Sequence, residues 1–156
     1  MSNTQTDSDL NENKRLVFLQ KLVGSHLNEN FSPVARWLNG RLIEVKEDLM
    51  KMEFIVREDM CNPIHLLHGG IAATILDDVV GTMVYAMGRE YAYVSINLNC
   101  DFLHPAKSGD TLTVNAKVIR AGKTVVHVEG EIVGNDNLII AKCTSNLTQT
   151  SMKLPF

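Results

Sequence analysis

The apolar side chains divide the chain into stretches of different period. From Arg15 onward, Leu16, Leu19, Leu22, Val23 and Leu27 recur at helical spacing, and residues 31–38 add a second short turn that tolerates Pro33 near its start. After Asn39-Gly40 the period changes to two. It is loose in Leu42, Ile43 and Val45, then clear in Met50, Met52, Phe54 and Val56 against Lys51, Glu53 and Arg57, with Ile55 the exception. The joining Lys46-Glu47-Asp48 predicts a hairpin. A loop over residues 57–67 leads into one long helix from Gly69 to about Met87, closed by Gly88 as a C-cap. Its apolar positions 71, 72, 75, 76, 79, 80, 83, 84 and 87 cover more than half the circumference, so the helix must be largely buried. Four strand-like segments follow at 91–102, 111–120, 124–133 and 138–148, separated by polar and glycine-containing turns and read as hairpin-linked.

Two strands, one buried helix and four strands make an α+β order. The simplest cover for a single apolar helix of about five turns is one six-stranded antiparallel sheet curled around it, the hotdog architecture, with an N-terminal helical extension. The first two strands must pair across the helix, and the order of strands in the sheet stays open. Residues 1–14 are polar and acidic and are expected to be a disordered tail. The expected single domain is 15–156, with N-terminal helices at 15–38 and a core at 39–149; no internal repeat is present.

Composition narrows the partners. With 45% hydrophobic residues the chain can build a core, and a net charge of −3 with pI near 5.9 gives no basic field for a nucleic-acid backbone. Cys61, Cys100 and Cys143 form no CxxC pair, which predicts reduced structural thiols. The N-terminus has no apolar signal-type segment and no run of 18 apolar residues occurs, so the expectation is a soluble cytoplasmic protein without a membrane partner.

The candidate chemistry lies where the loop meets the long helix. In Asn62-Pro63-Ile64-His65-Leu66-Leu67-His68-Gly69-Gly70 two glycines sit at a helix start, where unpaired N–H groups and the positive end of the dipole can polarise a carbonyl oxygen. A tight turn is the plainer purpose of Gly-Gly. Asp59, Cys61, His65 and His68 match no familiar zinc spacing, so no metal is expected. Asp77 and Asp78 interrupt the apolar helix. Counting about 100° per residue from Ile71 they fall near roughly 240° and 340°, on opposite flanks of the apolar arc, so both can reach solvent and geometry does not choose between them.

Asn62, His68-Gly69-Gly70, Asp77, Ser95, Pro105-Ala106-Lys107, Gly109-Asp110 and Gly122-Lys123-Thr124 resemble the phenylacetate-pathway type of hotdog acyl-CoA thioesterase, over about residues 38–149. The His-Gly-Gly turn with an aspartate eight residues after its first glycine is the most specific part. The resemblance implies that the Gly69 amide holds the thioester oxygen and that Asp77, rather than Asp78, is the nucleophile or general base. It also implies that Asn62 and His68 position thioester and water and that Ser95 assists. It further implies an obligate homodimer, paired into a homotetramer, with Asn62, His68 and Gly69 of one subunit facing Asp77 and Ser95 of the other. Gly70, Lys107, Gly122, Lys123 and Thr124 are the implied CoA-binding positions.

The implied reaction is hydrolysis of a small, medium-chain or aromatic acyl-CoA to the free acid and CoA, with no cofactor beyond that CoA. One departure stands at His65, where family members often carry glycine or another small residue; an imidazole there is expected to narrow the acyl pocket or to add a titrating group. The acyl pocket is expected to involve Tyr85, Met83, Met87 and the N-terminal helix. Two other readings remain: a non-catalytic acyl-CoA sensor or carrier that does not need Asp77, and a hydratase or dehydratase, which the position of the aspartate suits less well.

Overall fold

The computed structural model describes residues 12–27 and 31–155. The expected tail lies outside the described residues as far as residue 11, and Lys14 already begins the first helix, α1 (Lys14–Lys21), with Asn13 Oδ1 accepting the Leu16 N–H as its N-cap. α1 is shorter than the spacing out to Leu27 predicts. Gly24 adopts φ +90°, and its N–H turns to the Leu42 carbonyl while Leu27 N–H turns to that of Gly40. Residues 24–27 therefore run beside the first strand, and Leu27 is buried there without being helical. Helix α2 (Pro33–Leu38) starts at Ser32, whose Oγ accepts the Ala35 N–H, with Pro33 in the first turn where its missing donor costs nothing.

The expected hairpin forms as β1 (Arg41–Lys46) and β2 (Leu49–Ile55), followed by the long helix α3 (Gly69–Ala86) and by β3 (Tyr91–Phe102), β4 (Thr111–Ala121), β5 (Val125–Val133) and β6 (Ile139–Lys153). All six strands form one antiparallel sheet in the order β1-β2-β4-β5-β6-β3. The hairpin expectation holds for β4, β5 and β6 and fails for β3, which pairs with β6 at the far edge. The side of β4 that a β3–β4 hairpin needs is taken by β2, paired from Leu49↔Lys117 to Ile55↔Thr111. The 103–110 connection instead crosses from one edge toward the other, tied down by Leu67 N–H to the Ala106 carbonyl and Val56 N–H to that of Asp110. β6 also runs beyond the expected end, because Lys153 pairs with Tyr91.

Register aligns the core. Met52, Val114, Ile132 and Ala141 are successive partners across four strands, and Met50, Ala116, Gly130 and Cys143 form the neighbouring row. The buried face of the sheet packs on Ala72, Ile75, Leu76, Val79, Val80 and Met83 of α3, each at most 3% exposed. At about 1.5–3 kcal/mol for each large apolar side chain removed from water, this stripe fixes the rotation and axial position of the helix. A Cβ at Gly130 would lie 3.1 Å from Cys143 Sγ and 3.3 Å from Leu76 Cδ2, so the missing side chain lets α3 settle on the sheet. By length and composition α3 is long and apolar enough to cross a membrane; its apolar stripe is covered here by the sheet.

The two sheet edges differ. β1 is six residues long, carries an irregularity between Leu42 and Glu44, and is flanked by residues 24–27, which hydrogen-bond to Gly40 and Leu42. β3 is twelve residues long, and its other edge pairs with no strand among the described residues. Val94, Ile96, Phe102 and the adjoining Leu103 are half exposed along it.

Candidate active site

The loop before α3 is shaped by Asn62. Its Oδ1 accepts the N–H groups of Ile64 and Leu66, both at 3.1 Å, while its backbone N–H reaches the Leu66 carbonyl and its carbonyl accepts from His65 N–H. This closes a tight loop in which His65 adopts the left-handed φ of +61°. The glycine common at that position in the resembling family thus has a backbone reason. The His65 side chain is exposed and its Nδ1 lies 2.7 Å from Glu58 Oε1; it does not line the groove around Asp77.

His68 is the N-cap of α3. Its Nδ1 accepts the Gly70 N–H at 2.9 Å, which places the proton of the neutral ring on Nε2, and its carbonyl accepts from Ile71 and Ala72. The Gly70 amide is therefore committed. Gly69 is the first-turn residue whose N–H has no partner among the described residues, and it stands at the positive end of the helix dipole. The Phe102 ring lies against it, 3.6 Å from where a Cβ would sit.

Two turns along the helix, Asp77 Oδ1 accepts a hydrogen bond from Ser95 Oγ of β3 at 3.0 Å, so two residues widely separated in sequence meet within one chain. Asp77 is exposed. Asp78 is half-buried, has no side-chain partner among the described residues, and its carboxyl is pushed up to about 6, first by burial and then by the charge of Asp77. Both acids border an open groove of about 720 Å³ between α3, α1 and α2, lined also by Phe18, Phe31, Gly81 and Tyr85. Of the side chains expected at the acyl pocket, Tyr85 and the N-terminal helix line this groove. Met83 does not, being fully buried in the core, and Met87 packs against the core instead. The three thiols are unpaired, and burial raises the pKa of each, that of Cys143 to about 11.

The positions expected to hold CoA fall into two groups. Lys107 bridges to Leu66 beside the N-terminal end of α3, its backbone N–H held by Asp110 Oδ2. Gly122, Lys123 and Thr124 form the β4–β5 turn at the other end, where Arg89 Nη1 and the Tyr93 hydroxyl donate to carbonyls of the turn. A Cβ at Gly122 would lie 2.5 Å from the Val125 carbonyl oxygen, so this glycine is required by the turn itself. Eighteen residues of α3 separate the two groups, about 27 Å of helix.

The same arithmetic separates the two chemical elements of the site. Gly69 N–H and Asp77 are eight residues apart, about 12 Å along one axis, too far for both to touch one thioester carbonyl. The sequence offers Asp78 only as the alternative to Asp77, and it does not single out Arg15 or Arg89. For Arg15 a signal existed: it lies four residues before Leu19, on the stripe that α1 buries.

With this geometry in hand, the comparisons with known proteins are specific. The model of the Thioesterase superfamily matches residues 65–141, a span that includes the Gly69 turn, Asp77 and Ser95. Human acyl-coenzyme A thioesterase 13 is 34% identical over 73 residues, covering 47% of this chain and 52% of its own length. The chain thus spans about half the length of the curated relatives it matches. Among solved structures, a phenylacetic acid degradation-related protein from Ralstonia eutropha JMP134 superposes with TM-score 0.72 at 28% identity, over 77% of this chain and 92% of that one. The PaaI protein of E. coli gives TM-score 0.73 at 24% identity, over 78% and 87%. The six-stranded sheet and its central helix are the hotdog fold of these neighbours, and residues 65–141 are the part of the chain that matches the thioesterase superfamily.

Proposed function

We propose that this protein is an acyl-CoA thioesterase that hydrolyses the thioester of a small, medium-chain or aromatic acyl-CoA at a site shared between two copies of the chain. The observation that carries this reading is the pairing of one uncommitted amide, Gly69 N–H, with one oriented carboxylate, Asp77 held by Ser95, on the same helix but about 12 Å apart. A second copy supplies what one chain lacks. The open β3 edge, with Val94, Ile96 and Phe102 exposed, supports pairing of two such edges, which would also bury the apolar side chains there. A homotetramer made from two such dimers is part of the same reading, as is a cytoplasmic site of action, supported by three unpaired thiols.

In the proposed reaction the thioester oxygen accepts the Gly69 N–H, so charge developing on it meets a donor fixed by the helix. His68 Nε2–H and the Asn62 amide, whose oxygen is already used by the loop, are the further donors that position thioester and water. Asp77 from the partner copy takes a proton from water as the water oxygen attacks the carbonyl carbon, or attacks that carbon itself to give a mixed anhydride that water then hydrolyses, with Ser95 Oγ donating to its Oδ1. The carbon–sulfur bond breaks, the sulfur leaves with a proton as CoA, and the acid is released. No cofactor other than this CoA takes part. Lys107, Lys123 and Thr124, with the turn at Gly122 and the backbone at Gly70, are proposed to lie along the CoA moiety.

Release of free CoA from a panel of acyl-CoAs tests the proposal. The expected outcome is turnover by the wild-type protein and none above background by a folded Asp77→Asn variant. Tight binding without CoA release by the wild-type protein would establish a carrier or sensor instead.

A further inference from the structure

Gly81 sits in the middle of α3, where glycine costs about 1 kcal/mol relative to alanine. It is not among the residues at positive φ, and a Cβ built on it meets nothing within 4 Å. Neither the backbone nor packing among the described residues accounts for the missing side chain. Gly81 borders two open spaces. It and Tyr85 line both the groove that contains Asp77 and a smaller cavity of about 220 Å³ near the C-terminal end of α3.

That second cavity is cationic. Arg15, Arg89, Tyr91 and Tyr93 line it with Tyr85, and among the described residues no carboxylate does. Arg15 is 2% exposed, yet it forms no ion pair among the described residues. Its Nη1 donates to the Arg89 carbonyl at 2.6 Å, its guanidinium lies 5.0 Å from the Tyr85 ring centre, and its buried Nε has no partner. Burial draws its pKa below the ordinary value, but a guanidinium stays charged. A buried cation without a counter-ion is costly, and an arriving anion relieves that cost.

We propose that the acyl channel runs from Asp77 past Gly81 to Arg15, and that the substrate is a dicarboxylyl-CoA whose distal carboxylate pairs with the Arg15 guanidinium. This rests on the thioesterase reading of the same groove. Asp77 and Tyr85 are eight residues apart, about 12 Å along α3, so a medium-length diacid spans the two. Hydrolysis then forms the bond from water oxygen to the thioester carbon, breaks the carbon–sulfur bond and releases the free diacid and CoA thiol. The phosphates of CoA are the other anions at hand. A cavity of this size beneath Tyr85 suits one terminal carboxylate, and the exposed Lys123 turn suits phosphates.

Calorimetry on the Asp77→Asn variant, which on the thioesterase reading is expected to hold substrate without turning it over, decides between these. Suberyl-CoA, octanoyl-CoA and acetyl-CoA are the probes. Suberyl-CoA is expected to bind about tenfold or more tightly than octanoyl-CoA of the same carbon count, as a charge-assisted bidentate pair contributes. Adding Arg15→Met should abolish that preference and leave octanoyl-CoA and acetyl-CoA unchanged. Adding Gly81→Leu, at a position with open space around it, should weaken both eight-carbon ligands and spare acetyl-CoA. Equal affinities for suberyl-CoA and octanoyl-CoA, or an Arg15→Met variant that weakens all three alike, would overturn the proposal, the latter in favour of a phosphate contact or a purely structural arginine. Octanoyl-CoA turnover by the wild-type protein is scored separately, so failure of the hydrolase reading and failure of the carboxylate preference give different results.

Discussion

The N-terminal turn of α3 and its middle are built by opposite means. At the turn, Asn62 and His68 bind backbone groups so fully that one amide, Gly69 N–H, is left without a partner among the described residues, and the candidate group is main chain. In the middle, the candidate groups are side chains, and only one of two adjacent acids is tied. Asp77 is held by Ser95, while Asp78 stands half-buried without a side-chain partner among the described residues. A leftover amide on a rigid helix end cannot move toward its target, and an aspartate on the same rigid helix cannot either. The difference teaches that the fold fixes a donor and a carboxylate separately, which is why the proposed reading has a second copy bring them together.

The sharpest way to break this comparison is to remove each element in the manner suited to it. Asp77→Asn keeps shape and the Ser95 contact but removes the charge, and kcat for acyl-CoA hydrolysis should fall by about 10²–10⁴-fold. Gly69→Pro is the main-chain counterpart. Proline fits the first helical position, His68 before it is already extended with ψ 133°, and a Cβ there meets Phe102 only at ordinary contact distance. The variant should keep its helix by circular dichroism and lose about 10²–10³-fold in kcat through the missing N–H. Undiminished turnover in Gly69→Pro would mean that the amide is not the oxyanion donor.

Asp78 provides a pH test of the untied half. Its folded-state pKa of about 6 lies above the ordinary 3.8, so between these values the folded protein holds more protons than the unfolded chain and stability falls as pH rises. Asp78→Asn should therefore match wild type near pH 3.5 and exceed it above pH 7 by up to about 3 kcal/mol in denaturant unfolding. A constant difference across that range would show that Asp78 is not the desolvated group. Ser95→Ala should be milder than either change at Asp77 or Gly69, costing about tenfold in kcat with little change in KM, because it removes one hydrogen bond to a charged partner.

Much of this molecule is legible in its residues. The apolar stripe of α3 and the period-two strands are direct consequences of burial, and Gly88, Pro33 and the Lys46-Glu47-Asp48 turn mark ends where the chain requires them. The edge position of β3 is not legible, since alternation says which face is buried and nothing about which neighbour it meets. α1 is overextended by its spacing because Leu27 is apolar for the sake of β1, not of a helix. At the site, the meeting of Asp77 with Ser95 is expected from resemblance alone; an aspartate and a serine eighteen residues apart carry no such signal by spacing. The burial of Arg15 is hinted at by its place on the Leu19 stripe of α1, whereas the commitment of Gly70 to His68 depends on side-chain placement, which no pattern of polarity encodes.

The claim that one site is assembled from two chains has a direct test in hybrid dimers. Gly69→Pro and Asp77→Asn proteins, each nearly inactive alone, are mixed, dissociated and reassociated, and CoA release is followed. A hybrid dimer contains one site with both defects and one site with neither, so activity should return to about a quarter of wild type for random pairing. If hybrids form, as read by differently tagged subunits, and activity stays at the level of the separate variants, Gly69 and Asp77 do not serve one site across the interface and the account is wrong.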